Sequence, residues 1–392
     1  MNKLIVLISE LLLFALFIYF LLTPSTGLVI LYIAACFALV IVALITTKPF
    51  RIIAVPFKHE KKLTFFLSMV LLIIVPFFIW RQPYWLLTIA LAGIYIILAN
   101  GINLQTGTTG LTNFSGAAFF GTGAYTVGLL SVHFNTPAWL TVPAAIFAAM
   151  LVGFILFIPV IKVKGNYLAL VTIAFGLMFN IMLNNTSAVG GPNGISNIKS
   201  IIIGPVDFTS MWQVGSFMFN QYANYYWLII IITVLCLLFV RFICNSPVGL
   251  ILNYIRDDEW SSKSQGVNIT FWKFVAFSCG NALLGLGGAL YAYLIGYIAP
   301  DVFGFQTSLL LLSMVILGGM DSIAGVTLAA FMMEIITEKL RVIQDYRFLI
   351  FGLLVIIMII FRREGLIPAG VRSYFPKFKK SMARKQSKQS AS

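Results

Sequence analysis

Ser246-Pro-Val-Gly-Leu-Ile-Leu-Asn-Tyr-Ile-Arg256-Asp257-Asp258-Glu259-Trp-Ser-Ser-Lys263-Ser-Gln-Gly266-Val-Asn268 is a polar island between two apolar runs, roughly 223–243 and 270–297. Each run is long enough to cross a bilayer core of about 30 Å as a helix. Within the island, Pro247 marks a helix start, and Gly266 with Asn268 marks a stop. Between them Val248, Leu250, Ile251, Leu252, Tyr254, Ile255 and Trp260 can share one broad helix face. Arg256, Asp257, Asp258 and Glu259 concentrate charge in a chain that is only 10% charged. An apolar side with a charged tip suits docking to a soluble partner. It also suits an ordinary surface helix that joins two spans.

The rest of the chain extends the apolar reading. Hydrophobic residues make up 60% of 392 residues, and mean hydropathy is +0.99. No soluble domain buries that much apolar surface, so the fold expected is an all-α polytopic membrane bundle. In lipid the backbone must satisfy its own hydrogen bonds, and these runs lack the alternation of barrel strands. Spans are expected at roughly 4–22, 27–47, 63–80, 84–103, 114–132, 138–161, 167–185, 223–243, 270–297, 305–319, 322–340 and 345–361. Segments 104–131, 167–185 and 305–340 hold Gly and polar residues that fit half-helices, so the count is roughly ten to twelve.

The net charge of +14 reads as topology, not as a nucleic-acid footprint. With a cytoplasmic N-terminus and a crossing at each span, 21 of the 26 Lys and Arg fall inside and five outside. Both termini are then cytoplasmic, as is the 246–268 island.

Residues 1–62 form an accessory hairpin closed by a basic linker, Lys48 to Lys62, suited to an anionic lipid surface. Glu10 interrupts the first apolar run and no small-residue cleavage site follows, which favours an uncleaved helix over a signal peptide. Residues 63–368 make the core. Residues 369–392 are a basic, Ser/Gln-rich tail with nothing to pack, expected to be disordered. The four cysteines, Cys36, Cys236, Cys244 and Cys279, have no metal spacing and read as packing residues.

Catalytic sets are missing. There is no G-x-x-x-x-G-K-[ST] phosphate loop, and a chain with two histidines, His59 and His133, offers no ligand cluster. If ATP drives this protein, a partner hydrolyses it. Buried acids are scarce: Glu10 and Glu334 are the candidates for proton coupling in a single-chain secondary transporter, the alternative reading. Asn103, Gln105, Thr109 and Asn113 belong to a polar, uncharged stretch between two spans that either lines a pathway or glues a packed break. Asp321 follows Gly318-Gly-Met and either caps a helix with Ser322 or joins that pathway. The longest external segment, 186–222, opens with Gly190, Gly191, Pro192, Asn193 and Gly194, turn chemistry that can present backbone groups to an outside partner.

These pieces resemble the membrane permease subunits of branched-chain amino-acid ABC importers. Asn100-Gly-Ile-Asn103, Gly107-x-x-Gly110-Leu and Ala118-Phe-Phe-Gly-Thr-Gly123-Ala-Tyr125 look like the first core block. Lys164-Gly165-Asn-Tyr167 with Asn184-Asn-Thr186 and Gly190-Gly-Pro-Asn-Gly-Ile-Ser196 resembles the second. Leu317-Gly-Gly-Met320, Glu338, Arg341, Tyr346-Arg347 and Arg362-Arg-Glu-Gly-Leu-Ile-Pro368 resemble the last. The island is similar to the coupling loop of ABC import permeases, with Glu259, Ser261, Ser262 and Gly266 at matching places. Three departures stand out: the loop carries Ser261 and Ser262 beside Trp260 where small alanines are usual, Asp321 stands where the family usually has Gly, and Asn113 where an acid or Ser is common.

The resemblance implies a bacterial inner-membrane subunit without its own ATPase or cofactor. It would pair with a second related permease, bind ABC ATPase subunits through Arg256, Asp257, Glu259, Lys263 and Gly266, and receive substrate from a solute-binding protein near Gly190–Gly194. The substrate implied is a branched-chain or related small amino acid, with urea or short amides as the alternative within the same reading.

Overall fold

The computed structural model describes residues 71–79, 82–160, 167–203, 206–214, 217–339 and 365–367, with a few isolated positions besides. The accessory hairpin, the basic linker, the C-terminal tail and most of the spans expected at 4–22, 27–47, 63–80 and 345–361 lie outside the described residues.

Residues 71–79 are helical. Ten helices follow: α1 (Pro83–Ile102), α2 (Gly116–His133), α3 (Ala138–Val160), α4 (Tyr167–Asn185), α5 (Gln221–Asn245), α6 (Pro247–Asp257), α7 (Glu259–Ser264), α8 (Ile269–Ile295), α9 (Phe305–Gly318) and α10 (Ile323–Lys339). Two short antiparallel hairpins lie between α4 and α5: β1 (Ile202–Ile203) with β2 (Val206–Asp207), and β3 (Trp212–Val214) with β4 (Phe217–Phe219). Five helices among the described residues are long and apolar enough to cross a membrane, α9 is a shorter apolar helix, and the chain is a helical polytopic membrane protein. The observed ends fall within a few residues of the expected ones, because lipid allows a spanning backbone little except a continuous helix.

Residues 167–185 form one unbroken helix, the span expected there. One expectation needs correction. The 246–268 island is two helices, because Asp258 leaves helical geometry and caps α7, accepting hydrogen bonds from Trp260 N (2.9 Å) and Ser261 N (3.2 Å). Trp260 therefore does not share the face of α6. The expected interruptions at 104–131 and 305–340 do occur, as the non-helical segment 108–115 and the break 319–322.

The chain divides into two compact units, 1–95 with 199–232 and 331–363, and 96–198 with 233–330 and 364–392. In the first, Leu86 and Ala223 are fully buried beneath Trp212, Tyr222 and Trp227. Lys339 lies 4.4 Å over the Trp85 ring, and Tyr84 donates to Glu338. At the hairpin, bonds from the Thr209 hydroxyl and N–H hold the Asp207 carboxyl below its ordinary range.

The second unit is built on α2, α3 and α8, which pack against one another. Small residues set the approach, as their clustering in the sequence suggests: a Cβ on Gly123 would stand 2.1 Å from Gly285 O, and one on Gly288 2.1 Å from Phe120 O. Phe119, Phe157 and Phe277 fill the gap between the three helices with edge and tilted contacts. Gly116, Gly121, Thr122, Gly123 and Gly128 of α2 are buried against protein. Around this core, Phe147, Phe154 and Ile158 of α3 and Leu177, Met178 and Ile181 of α4 are exposed, an apolar belt suited to lipid or a partner.

Candidate functional site

The site lies in the second unit, where the two helix breaks meet α6. α1 ends in a π turn, Asn103–Gly107, in which Thr108 N bonds Asn103 O at 3.0 Å. A π turn frees carbonyls, and the local hydroxyls answer them: Thr106 Oγ1 donates to Leu111 O and Thr109 Oγ1 to Leu104 O, each at 3.0 Å. Gln105 Nε2 crosses to α8, donating to Phe277 O (3.0 Å) and Asn281 Oδ1 (2.8 Å). Gln105 Oε1 accepts from Asn113 Nδ2 at 2.6 Å, and Asn113 Oδ1 accepts from Ser115 N at 2.8 Å. Asn103, Gln105, Thr109 and Asn113 are all buried. The structure thus buries these expected pathway residues at one interhelical break, where Gln105 bonds to Asn113 and to α8, while Asn281 Nδ2 has no partner among the described residues.

The break at 319–322 docks on this turn. Asp321 has a left-handed backbone, φ 67°. Its N–H donates to Asn103 Oδ1 at 2.8 Å, and its Oδ1 accepts from Thr108 Oγ1 at 2.8 Å. Ser322 caps α10, its Oγ accepting from Gly325 N (3.2 Å), in line with its part in the cap foreseen for Asp321 and Ser322. Glycine is needed at 107 because a Cβ there would stand 2.5 Å from Asp321 N. Beyond the break, Leu366 N bonds Leu317 O at 2.9 Å and closes the end of α9.

α6 forms as its sequence signals. Ser246 caps it, accepting from Val248 N (3.2 Å), and Pro247 occupies the first turn, where no N–H is required. Gly249, Leu252 and Ile255 are buried. Arg256 turns inward: Nη1 donates to Gly107 O at 2.6 Å and stands 3.6 Å from Asp321 Oδ2. α7 ends in a Schellman motif, with Gly266 N on Lys263 O (3.0 Å), Val267 N on Ser262 O (3.2 Å), and Gly266 at φ 79°. Tyr254 and Ser261 share a hydrogen bond of 2.8 Å that ties α6 to α7, and Lys273 donates to Glu259. Asp257, Asp258, Trp260 and Lys263 are exposed, with Trp260 74% accessible.

Of the residues expected in the docking set, Lys263 and Asp257 are exposed, Asp257 with its Oδ1 3.4 Å from Arg256 Nε and Nη2. Arg256 and Glu259 are engaged within the chain, and Gly266 serves as a helix stop. Asn281 was missed; a lone Asn within the apolar run 270–297 was the available signal. Thr108 belongs to the polar stretch singled out between the two spans and Asp258 to the charged tip, but the partner of Thr108, Asp321, and the pairing of Lys273 with Glu259 have no local signal.

At the far end of α8, 27 residues and about 40 Å along its axis, the Gly190–Gly194 loop folds as two single 3₁₀ turns, Ser187–Val189 and Gly191–Asn193. Gly190, Gly191 and Gly194 have φ of 89°, 53° and 67°. Ile195 and Ile298 exchange backbone bonds of 2.9 and 3.0 Å, and Tyr297 donates to Asn193 O at 3.0 Å. The loop is thus held to the segment after α8, with Pro192 and Asn193 exposed.

Residues 84–360 match the family model described as branched-chain amino acid transport system / permease component. The chain belongs to that family. The permease is 32% identical over 324 residues to the high-affinity branched-chain amino acid transport system permease protein LivM of Salmonella typhimurium and to that of Escherichia coli, covering 79% of its own length and 75% of theirs. Against the probable branched-chain amino acid transport permease protein LivM of Methanocaldococcus jannaschii it is 25% identical over 328 residues, 70% of this chain and 91% of the relative. No solved structure gives a significant match. The π turn, the α6–α7 element, the 319–322 break and the Gly190–Gly194 loop all fall inside the family match.

Proposed function

We propose that this permease is the transmembrane subunit of an ATP-driven ABC importer of the bacterial inner membrane, carrying branched-chain or related small amino acids. A second related permease pairs with it, ABC ATPase subunits dock on α6–α7 from the cytoplasm, and a solute-binding protein delivers substrate at the Gly190–Gly194 face. Both termini face the cytoplasm.

The observation that carries the reading is the α6–α7 element. Its apolar side is buried on the bundle, while Asp257, Trp260 and Lys263 are exposed at its tip. An exposed Trp ringed by charges is the usual make-up of an interface anchor. The relatives are named as permeases of a transport system, which supports separate energising and binding subunits. The excess of Lys and Arg on the α6–α7 side supports the orientation. The external loop, about 40 Å away along α8, suits a second partner on the opposite face.

The test is purification of the tagged chain in mild detergent from its native membrane, followed by leucine uptake in proteoliposomes. Co-purification of an ATPase and a second permease, with uptake that requires ATP and the binding protein, is the expected result. Uptake by the chain alone, driven by a proton gradient and abolished by Glu334→Gln, overturns it.

A further inference from the structure

We infer that Arg256 and Asp321 are the positioning residues that join the ATPase-docking helix to the two broken spans, so that movement of α6 reaches the transport core through one guanidinium. The inference rests on the importer reading above and names the link within it.

Three contacts make the π turn and the 319–322 break one body: Asp321 N to Asn103 Oδ1, Thr108 Oγ1 to Asp321 Oδ1, and the close packing of Gly107 on the Asp321 backbone. Neither contact set includes α6. A polar connection from α6 to this body is Arg256: its Nη1 donates to Gly107 O on one break and stands 3.6 Å from the Asp321 carboxylate on the other, while Nε and Nη2 face Asp257 Oδ1 at 3.4 Å. Its aliphatic stem lies on Gly110, where an added Cβ would meet Arg256 Cγ at 3.1 Å. Apolar contacts add to the α6 anchor: Leu252 and Ile255 in the core, and Gly249 against the Cys244 backbone. Apolar contacts slide, whereas a charge-assisted bond to a fixed carbonyl holds one register. Arginine suits this place because a planar fork can reach two acceptors at once.

Asp321 carries a second sign of selection for the link. Left-handed backbone favours glycine, yet this position holds a carboxylate whose side chain is 6% exposed, against 33% for Arg256. A buried carboxylate is costly without a partner; Thr108 Oγ1 donates to it and the Arg256 guanidinium stands 3.6 Å away. The backbone bonds of the break need only a glycine there. The carboxylate serves the side reaching toward α6.

The experiment uses the whole purified complex in proteoliposomes and reads leucine taken up per ATP hydrolysed. The variants are Arg256→Gln, Asp321→Asn and the double variant. Each is expected to retain the ATPase on purification and to hydrolyse ATP within about twofold of wild type. Leucine per ATP should fall about tenfold or more in either single variant, and the double variant should be no worse than the worse single, because both remove one link. Arg256→Gln alters a side chain one third exposed and decides the question where Asp321→Asn does not assemble. A wild-type ratio in the assembled single variants, or additive losses in the double variant, overturns the link and leaves the importer reading standing. A wild-type chain that brings down no ATPase overturns both.

Discussion

Lys273, at the start of α8, donates to Glu259 at the start of α7, fourteen residues earlier. Glu259 therefore spends its charge inside the chain, fixing the short helix against the long one. Its side chain is still 53% exposed, so the pair is screened by solvent and orients more than it stabilises.

Glu259→Lys places two ammonium groups together and should loosen α7. Co-purification of the ATPase is expected to fall, and Lys273→Glu in the same chain should restore it by reversing the pair. If restoration fails while each chain expresses normally, Glu259 contacts the ATPase directly.

Trp260→Ala separates docking from folding. The indole is 74% exposed, so thermal unfolding in detergent should change by less than about 0.5 kcal/mol. Affinity for the ATPase should fall by about 2 kcal/mol or more, roughly thirtyfold, as at an interface anchor. Equal affinity in a titration of purified ATPase against both proteins would remove Trp260 from the interface.

Gly266→Ala tests a local backbone demand. A Cβ at this position meets nothing within 4 Å, and the cost comes from φ of 79° alone. The expected destabilisation is about 1 kcal/mol, with Gly266→Asn costing less because Asn tolerates left-handed geometry. Hydrogen exchange at Gly266 and Val267, whose amides close the motif, reads it directly.

Gln105→Leu removes the centre of the buried network and leaves Asn113 Nδ2, Asn281 Oδ1 and Phe277 O without this partner. Each orphaned polar group costs about 1–3 kcal/mol, so expression or thermal stability should fall sharply. Unaltered stability with altered uptake would mean that water reaches these groups and that they line the pathway.

Local signals carried much of the architecture. Spanning helices are legible because lipid forces every backbone bond inward, and α4 coincides with the run 167–185. Ser246-Pro247 and Gly266 mark a helix start and stop because capping involves only three or four neighbouring residues, whereas Asn268, read with Gly266 as a stop, instead caps the start of α8. The set Asn103, Gln105, Asn113 and Asp321 could be named as polar residues needing partners, since their burial among apolar runs is itself a sequence pattern.

The partners were decided only by tertiary structure. Gln105 meets Asn281 across 176 residues, and Thr108 meets Asp321 across 213. Nothing local encodes which buried polar group lies opposite which. Arg256 and Trp260 sit four apart in a run that reads as one helix. The Asp258 cap divides that run, so one residue turns into the bundle and the other out of it. The sequence by itself determined where the helices lie and which residues could not be left in lipid. The direction of each charge depended on where the two breaks came together, because a side chain's partner is set by the packing of distant segments.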